Sequence, residues 1–166
     1  MTADIRMVGE EELRRLASVA REGERRRTNL NLHAAFSDPV QRFLNVLQPG
    51  TYVPPHYHLA PDLRELFALL EGRAAVLLFE KDGVVAERIE LGRGGTRLVE
   101  VPAGRWHALV ALAPDTILLE VKPGPYDPAR DKVFAPWAPR EGEEGAERMV
   151  GWMETACRGE RPPMFS

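Results

Sequence analysis

Short apolar segments, each ended by glycine, proline or aspartate, fill the middle of the chain from Val40 to Lys122. Runs of this length with turn residues between them are typical of antiparallel β-sheets rather than of helices. The segments that fit strands are residues 41–47, 51–56, 65–70, 74–80, 84–91, 97–101, 106–112 and 116–122. About eight strands in one domain predict a closed barrel or jelly roll, because closure removes exposed sheet edges.

Helical periodicity is confined to the two ends of the chain. Residues 10–21 and 146–156 each place their apolar side chains on one stripe, which is the pattern of a short amphipathic helix. We therefore predict an all-β protein with short N- and C-terminal helices. Its expected divisions are a helical extension at 1–30, a barrel with a proline-rich C-terminal strap at 31–139, and a helix and tail at 140–166.

Composition excludes several classes of protein. The 166 residues carry a formal net charge of -3, so no overall positive field attracts nucleic acid or anionic lipid. The single cysteine, Cys157, excludes a fold built on internal disulfides. No segment approaches the ~20 apolar residues of a spanning helix, and the N-terminus lacks a signal-peptide core. We expect a cytoplasmic protein with neither a membrane nor nucleic acid among its partners.

Four side chains suggest a metal site. His56 and His58 are two residues apart, so in an extended strand they face the same side. Glu65 begins the next apolar run, and the turn that precedes His107 delivers a third imidazole to the start of another strand. Three imidazoles and one carboxylate suit a first-row divalent metal ion and leave coordination positions open. A lone histidine would more often be a polar residue with satisfied hydrogen bonds.

The glycines and prolines around these side chains carry a family resemblance. The residues concerned are Gly50, His56, His58, Glu65 and Gly72, followed by Gly95, Pro102, Ala103, Gly104 and His107. The first five resemble the first motif of the cupin superfamily, and the second five resemble its second motif. Residues 38–50, 119–128 and 134–137 resemble the WbuC-type cupin-fold metalloproteins.

This resemblance implies a cupin double-stranded β-helix, a jelly-roll barrel, with one mononuclear metal centre. Some members of the family are encoded among bacterial surface-polysaccharide genes, which points to carbohydrate metabolism. Two departures from the cupin pattern stand out. The stretch between His58 and Glu65 is longer than usual, so Asp62 is an alternative ligand, although Glu65 heads a strand. Ala111 replaces an asparagine that often follows the second motif, which leaves one pocket wall apolar.

Further polar residues are candidates for the same cavity. Tyr52 shares strand parity with His56 and His58, so it is the candidate catalytic acid or base. His33 is either a histidine bonded to backbone or a lid residue near the metal. Glu120 would need a partner if it faces the barrel interior. The sequence does not orient Gln41 and Arg42.

The expected cofactor is one divalent transition metal ion: iron, manganese, nickel and zinc all accept this ligand set. The leading hypothesis is a metal-dependent enzyme, such as an isomerase, lyase or dioxygenase, acting on a small polar metabolite such as a sugar or sugar acid. The alternatives are a metal-loaded binding or regulatory module without turnover, and a purely structural metal. Analogy with the family also predicts a homodimer.

Overall fold

The computed structural model describes residues 5–128 and 131–165. Its helices are α1 (Glu10–Glu22) and α2 (Ala146–Thr155). Its strands, in chain order, are β1 (Arg27–Asn31), β2 (Val40–Leu47), β3 (His56–Tyr57), β4 (Glu65–Glu71), β5 (Ala74–Phe79), β6 (Val85–Leu91), β7 (Leu98–Val101), β8 (Trp106–Ala111), β9 (Thr116–Pro123) and β10 (Val133–Phe134). No helix in this described part of the chain is long and apolar enough to cross a bilayer.

The strands form two five-stranded sheets. The first sheet has the order β1-β2-β9-β4-β7, and the second has the order β10-β3-β8-β5-β6. Strands that are neighbours in each sheet pair in antiparallel fashion. Apart from the hairpins β1–β2 and β5–β6, consecutive strands alternate between the sheets, and the chain closes into the expected jelly roll with a short helix near each end.

Each sheet is covered on its outer face by one helix. Leu16, Ala17 and Ala20 of α1 pack on Leu44 and Val46 of β2. On the other side, residues of α2 pack on the outward side chains of β5 and β8, which are Ala75, Leu77, Phe79, Ala108 and Val110. Both faces of β5 and β8 are therefore buried, which explains why these two strands are nearly continuous apolar runs rather than alternating ones.

The space between the sheets changes from apolar to polar along the strands. At one end Leu47, Leu69, Val76 and Leu118 belong to one buried cluster. At the other end, on the same strand faces, the buried side chains are Gln41, Glu65, His107, Glu120 and Lys122. Polar groups buried at this density require partners, so the polar end is where a ligand site is expected.

The structure differs from the sequence prediction in three elements. The predicted strand at 51–56 is reduced to β3, because Pro54 and Pro55 have no N–H to donate to a ladder. Strand β1 was not predicted because its sequence is polar, and it crosses the expected boundary at residue 30. Strand β10, within the strap, was also missed.

The predicted division into segments stays a prediction. The strap includes residues 129–130, and the predicted ends of the chain include 1–4 and 166. These residues lie outside the described part of the chain.

Candidate metal centre

Four side chains converge at the polar end of the barrel. One ligand atom from each of His56, His58, Glu65 and His107 lies within 4.8 Å of the others. All four residues are buried, with between 2% and 4% of their surface exposed. The structure thus brings together the residues that the sequence proposed as metal ligands.

The sheet pairing explains this convergence. His56 of β3 lies directly opposite His107 of β8, and Glu65 is the first residue of β4. His58 follows β3, and its carbonyl accepts a hydrogen bond from the Gly104 amide in the turn before β8. The HxH spacing and the Pro-Ala-Gly turn therefore place imidazoles from separated parts of the sequence at one point.

The tautomer of each imidazole follows from its backbone partner. Nδ1 of His56 lies 2.9 Å from the Pro54 carbonyl oxygen, and Nδ1 of His107 lies 2.8 Å from that of Arg105. Nδ1 of His58 contacts the carbonyl oxygen of Asp131. Since a carbonyl oxygen only accepts, each Nδ1 carries the proton. In the neutral ring the Nε2 lone pair is then free for a metal ion, and the outer hydrogen bond fixes the ring orientation.

The Nε2 atoms surround the Glu65 carboxylate. His107 Nε2 lies 2.8 Å from Glu65 Oε2, and His58 Nε2 lies 3.0 Å from Glu65 Oε1. The second contact lacks hydrogen-bond geometry, and the buried Nε2 of His56 has no hydrogen-bond partner among the described residues. Such a buried orphan atom is costly unless it has a ligand, and a metal ion would satisfy it.

Burial and charge shift the pKa values of these groups in opposite directions. Burial, reinforced by the nearby Lys132 ammonium, holds the pKa of His56 well below its usual value. Burial would also lower the pKa of His58, but the Asp131 and Glu65 carboxylates outweigh it and raise that pKa to about 9. Burial opposes ionisation of Glu65 as well, yet His107 and His58 hold its pKa well below normal. The cluster therefore stabilises an ionised carboxylate, which is the form that binds metal.

A buried lysine, Lys122, lies close to three carboxylates near the cluster. Lys122 Nζ lies 3.4 Å from Glu65 Oε1, 3.3 Å from Asp131 Oδ1 and 3.7 Å from Glu120 Oε1. The Asn45 amide donates to Glu120 Oε2 at 2.6 Å. Despite these partners, burial and the Glu65 charge raise the pKa of Glu120 to about 8. Glu120 thus has the partners that the sequence analysis required of it.

A cavity of about 510 Å³ opens beside the cluster. His56, Glu65 and His107 border it, together with Glu120 and Lys122. Its apolar wall consists of Phe43, Leu47, Val53, Phe67, Leu109 and Phe134. A volume of this size admits a small metabolite beside the metal ligands.

The ligand set fits a mononuclear divalent ion. Three imidazoles and one carboxylate, with their ligand atoms within 4.8 Å of one another, match the donors that first-row divalent metals prefer. Four protein ligands leave open positions on an ion of higher coordination number, and these would face the cavity.

Comparison with known families assigns the chain to one of them. A family model described as a domain of unknown function, DUF6016, matches residues 8–91, which is half of the chain. The chain belongs to the DUF6016 family. The matched region contains three of the four clustered residues, His56, His58 and Glu65, whereas His107 lies beyond it. No curated protein sequence matches this DUF6016 chain.

Solved structures share the fold of this DUF6016 chain at low sequence identity. Oxalate decarboxylase from Bacillus subtilis is 19% identical with a TM-score of 0.50, over 65% of this chain and 27% of that one. KdgF from a Halomonas species is 17% identical with a TM-score of 0.48, over 62% and 82% of the two chains. A cupin superfamily protein from Desulfitobacterium hafniense is 22% identical with a TM-score of 0.48, over 65% and 86%. The expected all-β cupin jelly roll is confirmed.

Tyr52 is not where the sequence analysis placed it. Its ring packs with the α2 side of the second sheet, and its hydroxyl donates to the Pro139 carbonyl oxygen at 2.7 Å. It does not border the cavity beside His56, because Pro54 and Pro55 break the strand parity that the prediction assumed. Burial also raises the pKa of its hydroxyl. The predicted location was wrong, and the catalytic role of Tyr52 stays a prediction.

Of the remaining candidates, His33 and Gln41 are held by backbone contacts, although the buried Nε2 of His33 has no hydrogen-bond partner among the described residues. His33 Nδ1 lies 2.9 Å from the Arg42 carbonyl oxygen and 3.1 Å from its amide nitrogen, so His33 is bonded to backbone. The buried Gln41 amide donates to the carbonyl oxygens of Asp38 and Phe36 and so holds the turn before β2. Arg42 is exposed on β2, and Asp62, the alternative ligand, is exposed in the loop before β4.

Sequence reasoning missed the residues that reach the site from outside the barrel strands. The strap provides Asp131, which contacts His58 and Lys122, and also Lys132 and Phe134 at the cavity, and Arg140, directly after the strap, borders the cavity too. Arg27 of β1 borders the cavity as well. The concentration of charged and aromatic residues in the strap was visible in the sequence, but the fold alone shows where they point.

Proposed function

We propose that this chain binds one divalent transition metal ion through His56, His58, Glu65 and His107, and that it is a metal-dependent enzyme acting on a small polar metabolite. The observation that carries this proposal is the set of three imidazoles with fixed tautomers around one buried carboxylate, with the Nε2 of His56 left without a partner. Buried polar atoms are seldom left without partners, and here two of them, Nε2 of His56 and Nε2 of His58, converge on one carboxylate, which favours a bound metal ion.

The bound ion would supply Lewis acidity towards a carbonyl or hydroxyl group, or a site for dioxygen if it is ferrous. The chain itself contributes orientation and exclusion of water. Lys122 and Glu120 border the cavity next to the metal ligands and are held by Asp131 and Asn45, so they can bind and orient polar groups of a ligand. The apolar wall shields the other side.

The finer assignment follows the sequence resemblance. We propose a WbuC-type cupin that acts on a sugar or sugar acid in surface-polysaccharide metabolism, in the cytoplasm and as a homodimer. The similarity to the WbuC-type proteins in residues 38–50, 119–128 and 134–137 supports this.

A binding or regulatory module without turnover is the second candidate. The observation that favours it is the position of Tyr52, whose hydroxyl is committed to the Pro139 carbonyl and lies away from the cavity. The cavity then lacks the acid or base that the sequence analysis assigned to it. A metal that only fastens the strands is the third candidate, and metal removal without any change in melting temperature would eliminate it.

The test begins with anaerobic purification and elemental analysis. We expect one equivalent of a transition metal, and metal-free protein after purification would contradict the proposal. The loaded protein is then incubated with a panel of sugars and sugar acids, and the mixtures are analysed by NMR for new products. Saturable binding by calorimetry, without any conversion over days, would favour the binding module over the enzyme.

A further inference from the structure

The cavity beside the metal centre carries more basic than acidic side chains. Its basic residues are Arg25, Arg27, Lys122, Lys132 and Arg140, and its acidic residues are Glu65, Glu120 and Glu141. This excess of positive charge belongs to a protein whose formal net charge is -3. A local field of opposite sign to the net charge is a feature of sites that attract a charged ligand.

The basic residues fall into an inner and an outer group. Lys122 is the inner one and is compensated by the carboxylates that surround it. The outer group, which we call the basic rim, consists of Arg25, Arg27, Lys132 and Arg140. A divalent ion at the metal centre would offset the inner carboxylates further, so the basic rim, with Glu141 as its acidic neighbour, would keep an excess of positive charge.

Among the described residues, a single carboxylate, that of Glu141, forms ion pairs with two members of the basic rim. Glu141 lies 2.9 Å from Arg25 and 2.7 Å from Arg27. Arg27 is the more buried of the two arginines, with 16% of its side chain exposed against 66% for Arg25. Its Nη1 donates to the Tyr52 carbonyl at 3.0 Å and to Thr51 Oγ1 at 3.2 Å. These bonds hold the Arg27 guanidinium in a fixed orientation at the cavity wall.

The other two members of the basic rim have no acidic partner. Within residues 5–128 and 131–165, no carboxylate lies within ion-pair distance of Lys132 or Arg140. The Arg140 guanidinium carbon lies 4.3 Å from the centre of the Phe134 ring, which positions it by a cation–π contact. An unpaired guanidinium held over an aromatic ring can accept a ligand without first breaking an ion pair.

We propose that the ligand of this site is an organic anion whose carboxylate or phosphate binds Arg27, Lys132 and Arg140 at the basic rim. This inference rests on the proposed function, because the remainder of the ligand would extend towards the metal centre. Guanidinium groups bind both carboxylates and phosphates through paired hydrogen bonds. The basic rim therefore distinguishes anionic from neutral ligands more strongly than it distinguishes one anion from another. A neutral sugar would leave the positive charges of the rim without a counter-charge.

The experiment uses the full-length protein, loaded stoichiometrically with Zn²⁺, and three probes that differ in one group. These are galactose, galacturonate and galactose 6-phosphate, and their binding is measured by calorimetry. We expect at least one of the two acidic probes to bind about tenfold or more tightly than galactose, with affinity that falls as salt is added. The acidic probe that binds more tightly shows whether the anionic group of the ligand is a carboxylate or a phosphate.

The decisive variant is Lys132→Gln/Arg140→Gln, because both side chains are exposed and their loss breaks no ion pair. It should keep its metal and lose the preference for the acidic probes. The matched control is Arg14→Gln/Arg158→Gln, which removes the same charge from exposed positions that do not border the cavity. An equal affinity for all three probes, or a preference that survives in the rim variant, overturns the inference. Wild-type protein that fails to retain Zn²⁺ contradicts the metal proposal instead.

Discussion

His107 Nε2 lies 2.8 Å from Glu65 Oε2, although His107 already donates from its Nδ1 to a backbone carbonyl. An ionised carboxylate and the lone pair of a neutral imidazole are both acceptors and would repel each other at this distance. The contact is stable only with one positive species at the pair, which is either a proton or a metal ion. The four clustered residues therefore form a site where a cation is required rather than merely tolerated.

We expect His58→Ala to lose metal. Removal of one ligand should lower the affinity by more than the 10- to 100-fold that loss of an outer hydrogen-bond partner costs. Elemental analysis after dialysis measures the result. The matched control is His33→Ala, because His33 is also buried but is bonded to the Arg42 backbone outside the cluster. One full equivalent of metal in His58→Ala would refute the ligand assignment.

We expect Lys122→Met to destabilise the metal-free protein by about 3 kcal/mol or more, because it leaves buried carboxylates without their counter-charge. Urea unfolding of the chelator-treated protein measures the change. Lys132→Met is the control, since Lys132 is exposed and should change stability by no more than about 0.5 kcal/mol. An unaltered unfolding midpoint for Lys122→Met would show that the lysine does not compensate those carboxylates.

Two glycine substitutions should change stability in opposite directions. Gly72, in the turn between β4 and β5, has a φ of +77°, and a Cβ there would lie 2.8 Å from Thr116 Cα. Gly72→Ala should therefore cost about 2 kcal/mol or more. Gly151 lies in α2 with open space around its Cα, so Gly151→Ala should stabilise by about 0.5–1 kcal/mol. Thermal unfolding of both variants tests the pair, and two shifts of the same sign would contradict it.

The contribution of Glu141 to stability should depend on pH. Hydrogen bonds from Arg25, together with the nearby charge of Arg27, hold its pKa below the usual value. A lowered pKa means that the ionised form stabilises the folded state at neutral pH, and that this stabilisation is lost as the pH falls below the usual pKa of a glutamate and through the lowered one. Because Glu141 is partly exposed, Glu141→Gln should cost less than about 1 kcal/mol at pH 7. Urea titrations at pH 7 and pH 3.5 should show this difference shrinking, and a constant difference would contradict the expectation.

The sequence predicted the barrel because apolar runs and turn residues are local signals. It also placed the four clustered residues, since the HxH pair and the turn before His107 fix the side to which those side chains point. Strand parity failed for Tyr52, where two prolines interrupt the strand on which the argument depended. A period of two is reliable only along a continuous ladder.

Contacts between distant segments were beyond local reasoning. The sequence analysis required a partner for Glu120, but it could not identify Asn45, which comes within hydrogen-bond distance of Glu120, diagonally across the ladder, only once β2 pairs with β9. Strand β1 has no apolar run by which the sequence could reveal it. It is a partly exposed edge strand that pairs only with β2, so most of its side chains can be polar. The position of Arg27 at the cavity could therefore not be predicted from the sequence.

The strap that crosses the open end of the barrel has an evolutionary consequence. It carries Lys132 and Phe134, with Arg140 directly after it, on a segment that contributes only the two-residue strand β10 to the sheets. Substitutions at the exposed residues Lys132 and Arg140 can alter which molecules enter without changing a metal ligand. A new specificity could thus arise from two surface positions, while Asp131 of the strap keeps its contact with His58.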